Sequence, residues 1–366
     1  MNTKAAVLYE YKQPLTIDEL ELDPPKAGEV LVEVKAAGLC HTDLSIIRGR
    51  YTVPDTPCVP GHEGAGIVRE VGPGETSLQP GDHVLFLWAP RCGRCYYCLH
   101  DQPYLCELRN LTRAGTMLDG TTRLHKGSQD ILNMTGLGTF KQFTVVSRQA
   151  ILPLQEDIPF DVAAITGCGV ITGTGAVLNT AGVEAGSSVA VLGVGGVGIN
   201  VIQGAVVAGA TKIIAIDLLD SKLGRATKMG ATHTVNASQG DVLEQVLEIT
   251  GGIGADYAFD LVGGKRGAET CLELVRPGGS AVIIAIPSMD EAVKVPLTPF
   301  VISGKKLLAC YYGSSSLNDF NTLFDLYRMG RLKLDELISD HYSLEDINQG
   351  FEDMESGKNM RGVVSM

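Results

Sequence analysis

The 366-residue sequence lacks the marks of several large classes of protein. Its 44 glycines follow no Gly-X-Y period, which excludes a collagen-like fibre. Residues 1–13 contain no apolar core of a signal peptide, so we expect a cytoplasmic protein. Positive charge is scarce, because 30 Lys and Arg face 42 Asp and Glu, and the formal net charge of −12 disfavours a nucleic-acid partner.

We also expect no membrane-spanning helix. The most apolar stretch, residues 188–210, contains six glycines and fits a strand, a turn and a helix in succession. We therefore expect this stretch to be buried core, and we expect no membrane partner.

The length predicts about two domains at roughly 150 residues each. Short apolar strands between dense Pro and Gly turns in residues 4–88 predict a largely β, barrel-like first domain. From residue 187, apolar β-branched runs alternate with helical patterns, which is typical of a parallel sheet covered on both faces. The predicted strands include 188–192 and 212–217, with 305–312 as a candidate for the last strand, and the first helix is predicted to start at Val197. The predicted fold class is α/β, with a first domain over residues 1–169, a doubly wound parallel-sheet domain over 170–311 and a return to the first domain over 312–366.

A glycine-rich turn in the second domain predicts a dinucleotide site. The sequence after Leu192 reads G-V-G-G-V-G and matches G-x-G-x-x-G, which gains weight because it follows an apolar strand and opens a helix. Glycines let the backbone approach a pyrophosphate, and the free N–H groups of the helix N-terminus attract its charge. The predicted cofactor contacts in this turn are Gly193, Gly195, Gly196, Val197 and Gly198.

An acidic residue sets the expected choice of cofactor. Asp217 lies 19 residues after Gly198, at the end of the next apolar strand, where a carboxylate would bind the adenosine ribose hydroxyls. Its charge would repel the 2′-phosphate of NADP, so the sequence favours NAD, and we expect Lys222 to reach the same ribose. The alternative is a turn without a ligand, in which Asp217 only caps a helix.

Nine cysteines, an odd number in a chain without an export signal, argue for metal binding, catalysis or burial rather than disulfides. Four of them have the spacing C-x2-C-x2-C-x7-C, which brings four thiolates onto one tetrahedral ion. Four cysteines saturate zinc, so the site would be structural, and an iron–sulfur cluster is the alternative. The predicted ligands are Cys92, Cys95, Cys98 and Cys106.

A second, dispersed group is compatible with an open zinc site. Cys40, His62 and Cys168 offer two thiolates and an imidazole, which together with a water form a catalytic zinc site. Their spacing alone is weak evidence, because scattered cysteines and histidines more often lie in a core. The three remaining cysteines are predicted to be buried: Cys58, Cys271 and Cys310.

In combination, these motifs resemble the zinc-dependent medium-chain alcohol dehydrogenases over nearly the whole chain. Besides the glycine turn and the four-cysteine cluster, the resemblance is carried by G-L-C-H-T-D at 38–43, G-H-E-G-A-G at 61–66 and G-C-G-V at 167–170. It implies a GroES-like β-barrel catalytic domain and a Rossmann domain, with the active site in the cleft between them. It also implies reversible hydride transfer from an alcohol to NAD, with two zinc ions per chain.

The resemblance assigns roles to residues near the catalytic metal. Glu63 would lie beside the ion and bind it transiently, and Asp43 would accept a hydrogen bond from the ring of the histidine ligand. Thr42 would bond the substrate hydroxyl and start a proton relay. The implied catalytic zinc ligands are Cys40, His62 and Cys168.

The resemblance also implies contacts to the rest of the cofactor and to the substrate. The cofactor contacts are His41 and Arg361 at the pyrophosphate, Ile284 and Ile286 beside the nicotinamide, and Thr172 and Val197 behind it. Trp88 would form an aromatic wall of the alcohol pocket, with a place in the barrel core as its alternative. Ser45 departs from relatives that carry a histidine there, so the relay must run through the ribose hydroxyl and water or through His41.

Residues 117–137 resemble the longer loop of the dimeric animal-type and glutathione-dependent formaldehyde-oxidising branches, which predicts a homodimer. The main alternative function is therefore oxidation of a thiol adduct of formaldehyde, such as S-(hydroxymethyl)glutathione, with Arg109 or Arg113 near the carboxylate of the thiol. Two further alternatives are a zinc-free quinone or enone reductase of the same fold and a non-catalytic, zinc-buffering protein. Neither of these needs the complete set of zinc ligands.

Overall fold

A computed structural model describes residues 1–287 and 291–366. The described chain forms two compact units, one of Met1–Cys168 with Leu334–Met366 and the other of Gly169–Lys333.

Of the two boundaries between these units, one lies close to its predicted position and the other lies further along the chain. The first lies one residue before the predicted end of the first domain at residue 169. The second lies about twenty residues after the predicted return at residue 312, because helix Leu317–Arg328 packs against helix Ile171–Gly175 within the second unit.

The first unit contains two β-sheets. The five strands of the smaller sheet are, in order, Asn2–Val7, Thr16–Leu22, Leu124–Lys126, Gln129–Asn133 and Cys58–Val59. The larger sheet has the order Ile151–Pro153, His83–Phe86, Ala65–Val71, Glu29–Gly38, Gly362–Ser365 and Asp340–Ser343, and Phe143–Ser147 also pairs with Glu29–Gly38. Because Gly362–Ser365 lies antiparallel to Glu29–Gly38, the C-terminal strand is part of the first unit.

Helices of the first unit are short. The α-helices are His41–Ile47, Tyr96–Leu99, Leu108–Thr112, Phe160–Ile165 and Ile347–Glu355. Single 3-10 turns occur at Pro103–Leu105, Met134–Gly136, Arg148–Ala150 and Asp335–Leu337. One apolar cluster, which includes Val32, Phe86 and Phe140, forms the core of this unit.

The second unit is a parallel sheet with helices. Its strand order is His233–Asn236, Lys212–Asp217, Ser188–Leu192, Ala255–Asp260, Val275–Ile283 and Lys306–Ala309, and all neighbours are parallel. The α-helices are Ile171–Gly175, Gly198–Ala208, Asp220–Lys228, Val242–Ile249, Gly264–Leu274, Leu297–Ser303 and Leu317–Arg328, with a 3-10 turn at Tyr312–Ser314. Parallel strands need crossover connections, which the helices between successive strands provide. The α/β fold class with a doubly wound parallel sheet is confirmed.

The apolar stretch at residues 188–210 forms the central strand Ser188–Leu192 and the largely buried helix Gly198–Ala208, as the sequence predicts. Among the described residues, one helical segment of 18 or more residues, Phe160–Ala181, is apolar enough by length and composition to cross a membrane. Within its most apolar window, 78% is buried inside the structure, which is the environment of a core helix.

Candidate active site

The first ligand of the dispersed group lies where a strand passes into a helix. Cys40 follows strand Glu29–Gly38 and is the N-cap of helix His41–Ile47. The Asp43 carboxylate accepts the backbone N–H of Cys40 at 3.2 Å, so this helix start is closed by a carboxylate three residues into the helix. The thiol is 7% exposed, and its Sγ lies 3.7 Å from Oγ1 of Thr42.

Asp43 also orients the histidine. Its Oδ1 lies 2.9 Å from Nδ1 of His62 and accepts the backbone N–H of Gly61 at 3.0 Å. Burial raises the pKa of the Asp43 carboxyl, and the neighbouring His62 opposes this rise. Because Nδ1 faces the carboxylate, Nε2 of His62 is the ring atom left for a ligand, and it is buried without a hydrogen-bond partner.

Glycine is needed at the turn that carries the histidine. Gly61 has a φ of +99°, a region that favours glycine, and a Cβ there would lie 2.9 Å from the backbone nitrogen of Phe140. A larger residue would therefore strain the segment that holds His62.

Glu63 is completely buried beside the thiols. One carboxylate oxygen, Oε2, accepts a hydrogen bond from Nη2 of Arg361, which is itself only 4% exposed. Burial raises the pKa of the Glu63 carboxyl to about 8, and the Arg361 guanidinium acts in the opposite direction. Oε1 of Glu63 has no hydrogen-bond partner and is thus a further donor atom for a cation.

The last ligand comes from an irregular helical turn. Cys168 lies in the π-helical segment Thr166–Val170, which follows helix Phe160–Ile165. The Thr166 hydroxyl donates to the carbonyl oxygen of Val162 at 2.7 Å, so a side chain supports the wider turn. Such π-turns are frequent at functional sites because they shift one side chain out of regular helical register.

The four side chains meet in one place. One ligand atom from each of Cys40, His62, Glu63 and Cys168 lies within 4.8 Å of the others. Two thiols, an imidazole with an unpartnered buried nitrogen and a nearby carboxylate are the donor set of a catalytic zinc ion. The residues therefore fit zinc.

The four-cysteine cluster is a second convergence of ligand atoms. Sγ of Cys92 lies 4.0 Å from that of Cys98, and Sγ of Cys95 lies 3.9 Å from that of Cys106. Backbone N–H groups of Cys98 and Glu107 lower the pKa of the Cys95 thiol to about 6. Because four thiols fill a tetrahedral shell, this group fits a structural zinc ion.

The other three cysteines are free and buried, at 0% exposure for Cys58 and Cys271 and 8% for Cys310, as predicted. Burial raises the pKa of the Cys58 thiol to about 12, so this thiol stays protonated.

The glycine turn of the second unit lies at the carboxyl ends of the parallel strands. Gly193 follows strand Ser188–Leu192 with a φ of +92°, and Gly198 begins helix Gly198–Ala208. Asp217 ends the neighbouring strand, and its Oδ2 accepts the backbone N–H of Val194 at 3.0 Å. This strand–turn–helix with an acid beside it is the geometry that binds a dinucleotide.

Known proteins match both units of the chain. The alcohol dehydrogenase GroES-like domain family matches residues 26–156, and the zinc-binding dehydrogenase family matches residues 196–328. The NDMA-dependent alcohol dehydrogenase of Amycolatopsis methanolica is 40% identical over 369 residues, which cover all of this chain and 99% of that protein. The chain belongs to the zinc-dependent alcohol dehydrogenases. It is therefore an oxidoreductase that uses zinc and NAD to oxidise an alcohol.

Two further relatives place this dehydrogenase within its family. The S-(hydroxymethyl)glutathione dehydrogenase of Paracoccus denitrificans is 39% identical over 375 residues, which cover both chains completely. The crystal structure of benzyl alcohol dehydrogenase from Acinetobacter calcoaceticus superposes with a TM-score of 0.93 at 29% identity, covering all of this chain and 99% of that one. The GroES-like and Rossmann architecture expected from the sequence is thus confirmed.

The remaining predicted site residues of the dehydrogenase lie in two groups. His41 is exposed, Thr42 and Ser45 are half-buried on helix His41–Ile47, and Trp88 is half-buried against the core of the first unit. In the second unit, Ile284 is 9% exposed and Ile286 is 61% exposed, while Thr172, Val197 and Lys222 are half-buried. These cofactor and substrate roles stay predictions.

Sequence reasoning missed two features of the dehydrogenase. Arg361 was expected only at the pyrophosphate, yet within the first unit its guanidinium is paired with Glu63. Asn200 and Gln203 were expected only as helix residues, yet both are buried beside the glycine turn. Two polar residues, four and seven positions after Gly196 on a helix that is otherwise apolar, were the available signal for the second feature.

Proposed function

We propose that this dehydrogenase oxidises an alcohol to an aldehyde or ketone at a zinc ion held by Cys40, His62 and Cys168. The observation that carries the assignment is the buried Nε2 of His62, which lacks a hydrogen-bond partner in a site where one ligand atom of His62 and both thiols lie within 4.8 Å of one another. Bound there, zinc supplies a Lewis acid that lowers the pKa of the alcohol hydroxyl, and NAD supplies the hydride acceptor.

The surrounding residues have separate tasks in this proposal. Asp43 keeps Nδ1 of His62 protonated, so the ring is held with its other nitrogen free for the metal. The Thr42 hydroxyl, close to the Cys40 thiol, accepts the proton of the substrate hydroxyl and passes it outward. Ser45, one helical turn after Thr42, cannot act as a base near neutral pH, so the proton leaves through the ribose hydroxyl of the cofactor and water or through His41. Trp88 supplies an apolar wall for the carbon chain of the alcohol.

The experiment that tests the function combines zinc analysis with a substrate panel. Purified protein is expected to contain two zinc ions per chain and to reduce NAD with primary, secondary, aromatic or polyol alcohols. Formaldehyde is then tested with and without glutathione or mycothiol. A rate that appears only with the thiol would favour the thiol-adduct alternative, and zinc-independent reduction of quinones or enones would contradict the proposal.

Replacing Asp217 tests the cofactor assignment. Asp217→Asn keeps the size of the side chain but removes its charge, so NAD is expected to bind about tenfold more weakly and its advantage over NADP to fall by a similar factor. Asp217→Gly should show the larger effect, because it also removes the acceptor for the N–H of Val194. Asp220→Asn, which changes an exposed acid on the next helix, is the control. Unchanged preference for NAD in both Asp217 variants, measured by calorimetric titration, would contradict the ribose role.

We further propose that the dehydrogenase is a cytoplasmic homodimer. Helix Leu297–Ser303 exposes Leu297, Val301 and Ile302 to 73%, 73% and 81%, and the adjoining strand Lys306–Ala309 is an edge of the parallel sheet. Large apolar side chains at a sheet edge favour pairing with a second copy. Nine free cysteines are in keeping with a reducing compartment. Light scattering should report twice the 38.8 kDa of the chain, and a monomer would contradict the dimer.

A further inference from the structure

Two buried amide side chains are hydrogen-bonded in series to the glycine turn of the second unit. Asn200 and Gln203 are 1% and 3% exposed on helix Gly198–Ala208. Nδ2 of Asn200 donates to the carbonyl oxygen of Gly196 at 2.9 Å, and Nε2 of Gln203 donates to Oδ1 of Asn200 at 3.2 Å. Oε1 of Gln203 accepts the backbone N–H of Lys333 at 2.7 Å. Three hydrogen bonds thus join the turn to Lys333, the last residue of the second unit.

The two ends of this chain of hydrogen bonds fix its direction. A backbone N–H, here of Lys333, can only donate, and a carbonyl oxygen, here of Gly196, can only accept. Both amides between them therefore have one orientation that satisfies every bond. Turning either amide over would leave buried donors facing donors or acceptors facing acceptors, which is costly.

At the turn, the Asn200 side chain bonds a carbonyl oxygen that a regular helix would bond with a backbone N–H. The backbone N–H of Asn200 donates to the carbonyl of Val197 at 2.9 Å, so the carbonyl of Gly196 receives the side chain of Asn200. A trans peptide is planar, with its C=O and N–H pointing in opposite directions. Holding the carbonyl of Gly196 on Asn200 therefore turns the N–H of Val197 away from the helix side chains.

Close packing restrains the next peptide of the turn, between Val197 and Gly198. A Cβ at Gly173 would lie 2.6 Å from the carbonyl oxygen of Val197 and 2.7 Å from Cβ of Asn200. Helix Ile171–Gly175 thus lies directly against the start of helix Gly198–Ala208, which leaves little room for the turn to rearrange.

We propose that Asn200 and Gln203 are positioning residues for the cofactor. They hold the Gly196–Val197 peptide with its N–H directed to the pyrophosphate of NAD, and they connect this peptide to the backbone of Lys333. The inference rests on the proposed assignment of the glycine turn as the NAD site. It adds that the affinity of the turn depends on two amides that do not touch the cofactor.

The test is calorimetric titration of the zinc-loaded enzyme with NAD. Asn200→Ala and Asn200→Asp both lose the donor to Gly196, and we expect the Kd for NAD to rise about 5- to 20-fold. In Asn200→Ser the hydroxyl can donate to the carbonyl four residues earlier, as serine does in helices, so the Kd should return to within about threefold of the wild type. The KM for NAD should follow the Kd, while kcat at saturating NAD should change less than about twofold.

Two control variants separate positioning from general stability. Lys333→Ala removes an ammonium that donates to the carbonyl of Lys228 but keeps the backbone N–H, so NAD binding should not change. Thr250→Val removes a buried hydroxyl, 7% exposed and bonded to the carbonyl of Val246, and should lower the melting temperature without changing the Kd. Should Asn200→Ala fail to fold, Gln203→Met against Asn200→Ser gives the same comparison.

Hydrogen exchange distinguishes a positioning role of Asn200 from a general effect on stability. NAD binding should slow exchange of the Lys333 amide in the wild type, and this slowing should be lost in Asn200→Ala. The inference is overturned if Asn200→Ala, Asn200→Asp and Asn200→Ser all bind NAD as the wild type does, or if all three lose affinity equally. If the wild type itself does not bind NAD, or Asp217→Asn has no effect, the proposed cofactor site is wrong instead.

Discussion

Replacement of Cys40 or Cys168 by alanine is expected to lower NAD-linked alcohol oxidation by about a thousandfold or more. Each variant removes one of the three proposed zinc ligands, and the remaining two cannot hold the ion in an open tetrahedral shell. The loss should appear in kcat/KM for every alcohol of the panel, together with a fall in zinc content from two ions per chain to one.

Cys58→Ala is the matched control for these variants. Cys58 is a fully buried cysteine of the same unit that lies outside both groups of ligands, so its replacement should keep both zinc ions and near-normal turnover. NAD binding measured by calorimetry should survive in all three variants, because the glycine turn is built within the second unit. If Cys40→Ala kept two zinc ions and normal turnover, the proposed catalytic site would be wrong.

Removal of one ligand of the four-cysteine cluster should instead affect stability. Helix Tyr96–Leu99 and the turn Pro103–Leu105 bury none of their own residues, and Tyr96 and Leu99 are 64% and 67% exposed. A segment with so little apolar contact depends on its metal to stay folded. Cys106→Ala is therefore expected to lose one zinc ion and to lower the melting temperature by about 5 °C or more.

The place of unfolding distinguishes this effect from a general loss of stability. Limited proteolysis of Cys106→Ala should cut first within residues 92–112, whereas Cys310→Ala, which alters a buried cysteine outside the ligands, should keep the wild-type pattern. Addition of a zinc chelator to the wild type should produce the same early cut. Protection of residues 92–112 in the absence of zinc would contradict a structural metal there.

Local sequence patterns were sufficient to predict most strands and helices of the second unit. The strands Ser188–Leu192 and Lys212–Asp217 lie at the predicted residues, because parallel strands buried on both faces read as continuous apolar runs. Boundaries at helix ends shift by a residue, as for helix Gly198–Ala208, predicted to start at Val197. The last strand is Lys306–Ala309 rather than 305–312, because an edge strand is defined by one partner only.

The candidate metal sites differ in how far the sequence could predict them. Cys92, Cys95, Cys98 and Cys106 lie close together in the chain, so their spacing alone implies convergence. The spacing of Cys40, His62 and Cys168 did not by itself predict that they share one metal ion. That prediction came from the resemblance to a known family. Their convergence depends on the pairing of strands far apart in the chain and on a π-helical turn that no local pattern indicated.

Short-range patterns were enough to predict the class of this protein, because two domains, a dinucleotide turn with an acid and a four-cysteine cluster with the spacing of a zinc site are each visible in neighbouring residues. Which buried groups face each other depends on the tertiary fold. The pairing of Arg361 with Glu63 and the amide chain from Lys333 to Gly196 join residues that are 298 and 137 positions apart. Such contacts follow from the burial of polar groups, which must find partners once packing has removed water, and no local pattern specifies them.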